Sequence, residues 1–167
     1  MAKPPATEKG DYFMTIQSYV TNLCKHSGID QSQVEVSVDE AEDQVTVNIN
    51  LPQEESGLFI GFHGETLSSL QRLIRIIFQK EHGDKKIVLN INNYREQRVE
   101  KLQEMAENVA RRVLESGRPY TFAYLPPNER FVIHTTISEN PDFASLESVS
   151  QGEGAHRYLM IRLKDSN

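Results

Sequence analysis

The stretch Gly57-Leu58-Phe59-Ile60-Gly61-Phe62-His63-Gly64-Glu65-Thr66-Leu67-Ser68-Ser69-Leu70-Gln71 decides how this chain is organised. Its second half has a helical rhythm that runs on past Gln71: Leu67, Leu70, Ile74, Ile77 and Phe78 recur at three and four residues, the spacing of one helix face. Its first half, Gly57 to Ile60, reads as an extended segment, so the glycines of Gly61-Phe62-His63-Gly64 stand between extended backbone and the opening of a helix. Glycine has no Cβ, and bare N–H groups there can approach a ligand closely. The helix N-terminus adds a partial positive charge, and together these suit a phosphate. A Gly-x-x-Gly pattern also serves as a plain tight turn, and only its surroundings separate the two readings.

Toward the N-terminus, Phe13, Ile16, Val20 and Leu23 recur at helical spacing from Tyr12, with Ser27-Gly28 as a stop, which predicts a helix of about four turns. Val34, Val36 and Val38 alternate with polar residues, as do Val45, Val47, Ile49 and Leu51. The acidic run Asp39-Glu40-Ala41-Glu42-Asp43 between them is a solvated turn, so this segment is a β-hairpin. Beyond the glycine loop, His82-Gly83-Asp84 closes the helix and Lys86-Ile87-Val88-Leu89-Asn90-Ile91 reads as a strand. The result is an α-β-β-α-β module over residues 12–91. Residues 1–11, with Pro4, Pro5 and Gly10, are expected to form a disordered tail.

Asn92 and Asn93 are favourable caps for a long helix from Tyr94 to about Ser116, which Gly117 ends. Phe122, Tyr124 and Leu125 suggest a short strand, and Pro127 with Asn128 and Glu129 starts a second helix that must end by Asn140-Pro141. Leu146 to Val149 and Tyr158 to Leu163 are expected to pair around the turn Gly152-Glu153-Gly154. Residues 92–167 thus form an α-β-α-β-β module, and the fold class is α+β with two small modules in series.

A chain of 167 residues with 38% hydrophobic content can bury a core in one domain or two small ones. It has no apolar window long enough to cross a membrane and no apolar stretch of the secretory kind near Met1, so it is expected to be soluble and cytoplasmic, without membrane insertion. The single cysteine, Cys24, excludes an internal disulfide and reads as a small core hydrophobe. The net charge of -6 argues against nucleic-acid binding by bulk attraction. Its distribution is uneven: through residue 91 there are 8 Lys and Arg against 13 Asp and Glu, and after it 10 against 11. Eight of the ten arginines fall in the second part, where a phosphate-facing surface is expected.

Arg130 and His134 stand one turn apart on the second helix of that part. A guanidinium grips phosphate at two points while a neighbouring imidazole donates a hydrogen bond or stacks on a base. Arg72, on the helix after the glycine loop, is a further candidate, placed to line a groove beside that loop. Phe62 either stacks on a base or serves as an apolar protein contact; the sequence leaves both open. Arg95 and Arg98 open the long helix, where the dipole disfavours positive charge, and are expected to pair with glutamates at helical spacing such as Glu96.

The order α-β-β, Ile60-Gly61-Phe62-His63-Gly64, helix, strand resembles a KH domain, the module whose glycine loop clamps a single-stranded sugar-phosphate backbone. Many such loops carry Lys or Arg between the glycines, where this one has Phe62 and His63 followed by Glu65. Asn128-Glu129-Arg130-Phe131-Val132-Ile133-His134, then Ser150-Gln151-Gly152-Glu153 and the strand Arg157-Tyr158-Leu159-Met160-Ile161, resembles the domain named for its Arg-x-x-x-His signature. The tandem order, with Asn92-Asn93-Tyr94-Arg95-Glu96-Gln97-Arg98 between, resembles the bacterial Jag family, the SpoIIIJ-associated RNA-binding proteins, over about residues 12–163. The resemblance implies binding of single-stranded RNA, or single-stranded DNA, through Gly61, Phe62, His63, Gly64, Arg72, Arg130, His134 and Arg157. It also implies a small KH-only partner or self-association, and a bacterial post-transcriptional role linked to cell elongation, division or envelope homeostasis.

The alternative is a protein-interaction scaffold with weak or no nucleic-acid contact, which the acidic charge and the non-basic loop favour. An enzyme is not expected. A hydrolytic site needs clustered carboxylates or a nucleophile with its base, and the five scattered histidines supply no metal spacing, so neither a metal nor a cofactor is assigned.

Overall fold

A computed structural model describes residues 14–164; the expected tail and the residues Tyr12 and Phe13 lie outside them. The described chain is α+β and divides into two compact units, one made of residues 14–59 and 66–92, the other of 60–65 and 93–164. The loop Ile60–Glu65 therefore belongs with the second unit although the first surrounds it in sequence.

The first unit opens with α1 (Ile16–His26). Thr15 fixes its start, because its side chain accepts from the Ser18 N–H and satisfies one of the unpaired donors of the first turn. Met14 and Thr15 lie outside the helix, which starts at Ile16. Strands β1 (Glu35–Glu40) and β2 (Gln44–Asn50) form the antiparallel hairpin, and β3 (Lys86–Ile91) lies parallel to β2, giving the sheet order β1-β2-β3. The β2–β3 register aligns Val45 with Ile87, Val47 with Leu89 and Ile49 with Ile91. All six are buried, so one face of this pair is continuous apolar core. Ile16, Val20 and Cys24 of α1 are also buried, and burial raises the Cys24 thiol above its ordinary pKa, as fits a core hydrophobe.

A parallel β2–β3 pair needs a long crossover, and here it contains more helix than the sequence suggests. Residues Gln53–Ile60 form a short helix, α2, so the segment before the glycine loop is helical and not extended. Only Ser56 and Phe59 of α2 are buried, which leaves no apolar stripe to read, while Glu54 and Glu55 in its first turn complement the helix dipole. A 3-10 turn, Phe62–Gly64, then leads into α3 (Glu65–His82), which buries Leu67, Ile74 and Phe78. The Phe78 ring meets Tyr19 of α1 edge to face with centroids 5.8 Å apart.

The second unit is carried by α4 (Tyr94–Ser116) and α5 (Pro127–Glu139), packed on a sheet of order β4-β6-β5. Strand β6 (Tyr158–Leu163) pairs antiparallel with β5 (Leu146–Gln151) and with the two-residue β4 (Tyr120–Thr121). The early strand thus lies just before Phe122–Leu125, the segment that the sequence suggests for it; Phe122 keeps one ladder bond, its N–H donating to the Leu159 carbonyl at 2.8 Å. Leu102, Ala106, Ala110 and Val113 of α4, Ile133 and Ile137 of α5, and Leu159 and Ile161 of β6 share one core. Helix α4 ends at Gly117, whose left-handed backbone places its N–H on the Val113 carbonyl. Its start departs from expectation: Asn93 sits in the left-handed region with no side-chain capping bond. Asn92 spends its amide on both backbone groups of Leu51, donating to the carbonyl at 2.8 Å and accepting from the N–H at 2.9 Å.

Candidate nucleic-acid interface

The glycine loop has a backbone that few residues tolerate. Gly61 adopts φ 70°, ψ -174°, a region essentially closed to residues with a Cβ. Gly64 has φ 79°, and a Cβ there would stand 3.0 Å from the Tyr94 ring. Between them His63 is itself left-handed, at φ 51°, ψ 24°, a strained choice for a non-glycine residue. The Gly64 N–H donates to the Gly61 carbonyl at 3.3 Å and closes the turn.

The strain at His63 is held by side chains. Its Nδ1 lies 2.7 Å from Oε2 of Glu129, a residue of α5 that is only 2% exposed. Arg98 of α4 grips the same carboxylate as a fork, Nε donating to Oε1 at 2.7 Å and Nη2 to Oε2 at 2.9 Å. A carboxylate only accepts, so Nδ1 is the donor in the contact with Glu129, and Arg98 Nη2 lies 2.9 Å from the same nitrogen. The hydrogen bond to Glu129 holds the Arg98 guanidinium above its usual pKa against the opposing effect of burial. Burial likewise raises the Tyr94 phenol and lowers Arg95. Arg98 thus has a glutamate partner, but 31 residues away in sequence and not at helical spacing.

With His63 committed inward and 12% exposed, the loop presents Phe62 to solvent at 67% exposure. The Phe62 ring is edge-on to His63 at 4.1 Å and nearly parallel to Tyr124, at 14° with centroids 6.5 Å apart.

Arg130 and His134 are one turn apart on α5, as the spacing predicts. Arg130 is half-buried and one of its nitrogens, Nη1, donates to the Leu125 carbonyl at 2.6 Å, which orients the guanidinium. His134 is exposed, and its Nδ1 makes a close hydrogen bond with the Ser148 hydroxyl of β5. Arg157 is exposed after the 3-10 turn Gly154–His156, and Arg72 is exposed on α3 in the first unit. The second unit therefore holds the loop residues Gly61 to Gly64 together with Arg130, His134 and Arg157, while Arg72 belongs to the other unit. Sequence reasoning missed Glu129 and Tyr124. The one available signal was the cation at a helix start in Arg98, which asks for an anion; nothing in the spacing says that the anion is Glu129.

Among the described residues no group of His, Cys, Asp and Glu is arranged to hold a metal ion, and no helix is long and apolar enough to cross a membrane.

Residues 16–91 match the family model described as the KhpA/KhpB KH domain, and residues 100–163 match the model of the Arg-x-x-x-His domain. The chain is 34% identical over 135 residues to a Clostridium symbiosum protein named RNA-binding protein KhpB, covering 80% of this chain and 60% of that one. A Streptococcus pneumoniae protein of the same name is 31% identical over 147 residues, covering 87% of this chain and 42% of its own length. One from Bacillus subtilis is 32% identical over 124 residues, or 74% of this chain and 59% of that protein. The chain thus spans less than two thirds of the length of each of these relatives.

Proposed function

We propose that this chain, which belongs to the KhpB family of proteins joining a KH domain to an Arg-x-x-x-His domain, binds single-stranded RNA. The observation that carries the proposal is the tandem itself: two modules that each take single strands, in one chain, among relatives named as RNA-binding proteins. The loop geometry supports it, since Gly61 and Gly64 are positions where only glycine keeps the turn, and the turn opens onto α3.

In this reading the working domains are residues 12–91 and 92–167. Gly61 and Gly64 let the backbone approach the strand, Phe62 offers a ring, and His63 holds the loop in shape through Glu129. Arg130, His134 and Arg157 take phosphates or base edges from the second unit, and Arg72 adds a cation on α3. The same groups serve single-stranded DNA, and the 2′-hydroxyl is what separates the two ligands. No catalysis is assigned. We place the protein in the bacterial cytoplasm as a post-transcriptional regulator linked to cell elongation, division or envelope homeostasis, resting on the family alone.

A protein-contact role fits beside RNA binding. Leu73, Ile76 and Ile77 of α3 are exposed at helical spacing in a chain of net charge -6, a pattern suited to a small KH-only partner or a second copy.

The test is fluorescence anisotropy of a labelled single-stranded RNA against the full chain over a salt series. Each phosphate contact contributes about 0.7 to the log–log slope. A negative slope with binding that tightens at low salt is expected; no binding at low salt contradicts the proposal.

A further inference from the structure

We infer that Phe62 and Tyr124 form a slot that takes one nucleobase between their rings, with the His63 imidazole as its side wall. The inference rests on the RNA-binding reading and adds to it a base subsite with both walls named.

The two rings are nearly parallel, at 14°, with centroids 6.5 Å apart. Two rings that sandwich one flat base have centroids about twice the ~3.4 Å rise between stacked nucleotides apart, and the centroid separation here is close to that. The pair does not fill the space itself. Phe62 is 67% exposed even though His63 already touches it edge-on at 4.1 Å, so most of its surface is open to a ligand. Tyr124 is also exposed, at 40%. The imidazole bounds the space on one side. Its centroid is 4.1 Å from Phe62 and 6.2 Å from Tyr124, and these two legs laid end to end far exceed 6.5 Å, so His63 lies to one side of the line joining the rings.

What makes the slot more than two exposed rings is that its side wall is fixed. His63 stands at 79° to Tyr124 and 84° to Phe62, and its Nδ1 is tied to Glu129, which Arg98 holds in turn. The buried tie keeps His63 in its left-handed conformation, and Phe62, as the preceding residue, takes its position from that turn. Exposed rings held parallel cost little to fill, because the ordering is done before the base arrives. Every base has two π-faces, so the slot adds affinity without demanding a sequence, and it accounts for a glycine loop that carries an aromatic residue in place of a cation.

The experiment uses the full chain and a short single-stranded oligouridine RNA with one central 2-aminopurine, whose emission falls when the base stacks. Binding of the unchanged protein is expected to quench the probe. Phe62→Leu and Tyr124→Leu should each weaken binding roughly 5- to 100-fold and restore emission, since stacking on an aromatic is worth that much per base. The double variant should be little worse than either single one, because one wall alone makes no slot. Phe62→Tyr, which keeps the ring, should bind as the unchanged protein does. None of these should alter the salt slope, as no phosphate contact is removed. Both positions are exposed, so an unchanged thermal melt establishes that the variants fold. If the unchanged chain binds no RNA, the RNA-binding reading fails and the slot with it. If it binds RNA but either Leu variant binds and quenches as before, the slot is overturned and RNA binding stands.

Discussion

The glycine loop, residues 60–65, and the segment 125–134 that leads through the start of α5 both belong to the second unit, and they are built on opposite principles. In the loop the backbone is the unusual part, with constraints at Gly61, His63 and Gly64 and one side chain, His63, given over to holding them. In the helix the backbone is ordinary and the side chains are pre-aimed: Arg130 by the Leu125 carbonyl, His134 by the Ser148 hydroxyl. Glu129, adjacent to Arg130, turns the other way and is buried against Arg98 and His63. The comparison teaches that the loop is organised through its backbone and the helix through its side chains, and that Glu129 is where the helix sustains the loop.

The largest effect should come from breaking that support. Arg98→Met leaves the Glu129 carboxylate buried without its cation, and loss of one partner of such a pair costs about 3–5 kcal/mol. Urea unfolding measures it, and the double change Arg98→Met with Glu129→Met should recover most of the loss. A single variant as stable as the parent would mean that the tie does not sustain the loop.

Next is the loop backbone. Gly61→Ala is expected to cost about 1–3 kcal/mol, because alanine does not fit φ 70°, ψ -174°. Four residues earlier, inside α2, Gly57→Ala meets nothing within 4 Å and should raise stability by about 0.5–1 kcal/mol. Opposite signs in a thermal-unfolding series would mark where the strained turn begins; equal signs would dissolve the distinction. Gly64→Asp, by contrast, is a poor probe of RNA contact, since any Cβ at that position presses on Tyr94.

On the donor side, Arg130→Ala should lower the salt slope of RNA binding by about 0.7, the share of one phosphate, with stability changed by less than the Arg98 variant shows. An unchanged slope would remove Arg130 from the phosphate-contacting set.

The smallest effect is expected at an exposed pair used as contrast. Lys85 donates to Glu40 at 2.8 Å and holds that carboxyl below its ordinary pKa. The folded pKa is depressed, so the contribution is present above the unfolded value and is lost as pH falls through the folded one. Glu40→Gln should flatten that acid limb slightly, and added salt should erase the difference in a pH series of melts.

Much of this architecture is legible in the sequence because it rests on period. The alternation in β2 and β3, the stripe along α3 and the caps at Ser27 and Gly117 are local signals, and local packing keeps them. Helix α2 reads as extended because it buries only Ser56 and Phe59 and shows no stripe. In the candidate site, the glycines and the Arg130–His134 spacing are visible as motifs. The division of labour is not, because it depends on Glu129 meeting Arg98 and His63 across 31 and 66 residues of sequence. Tyr124 escapes for the same reason: a lone tyrosine before two prolines reads as strand until its ring is found parallel to Phe62.

The most direct measurement is photocrosslinking of single-stranded RNA to the intact chain, followed by mapping of the peptides that carry nucleotide. Adducts on the peptide containing Gly61 to Gly64 and on those containing Tyr124 and Arg130 are expected, both sets lost on competition with unlabelled RNA. Adducts confined to other surfaces, or none that competes, would contradict the account.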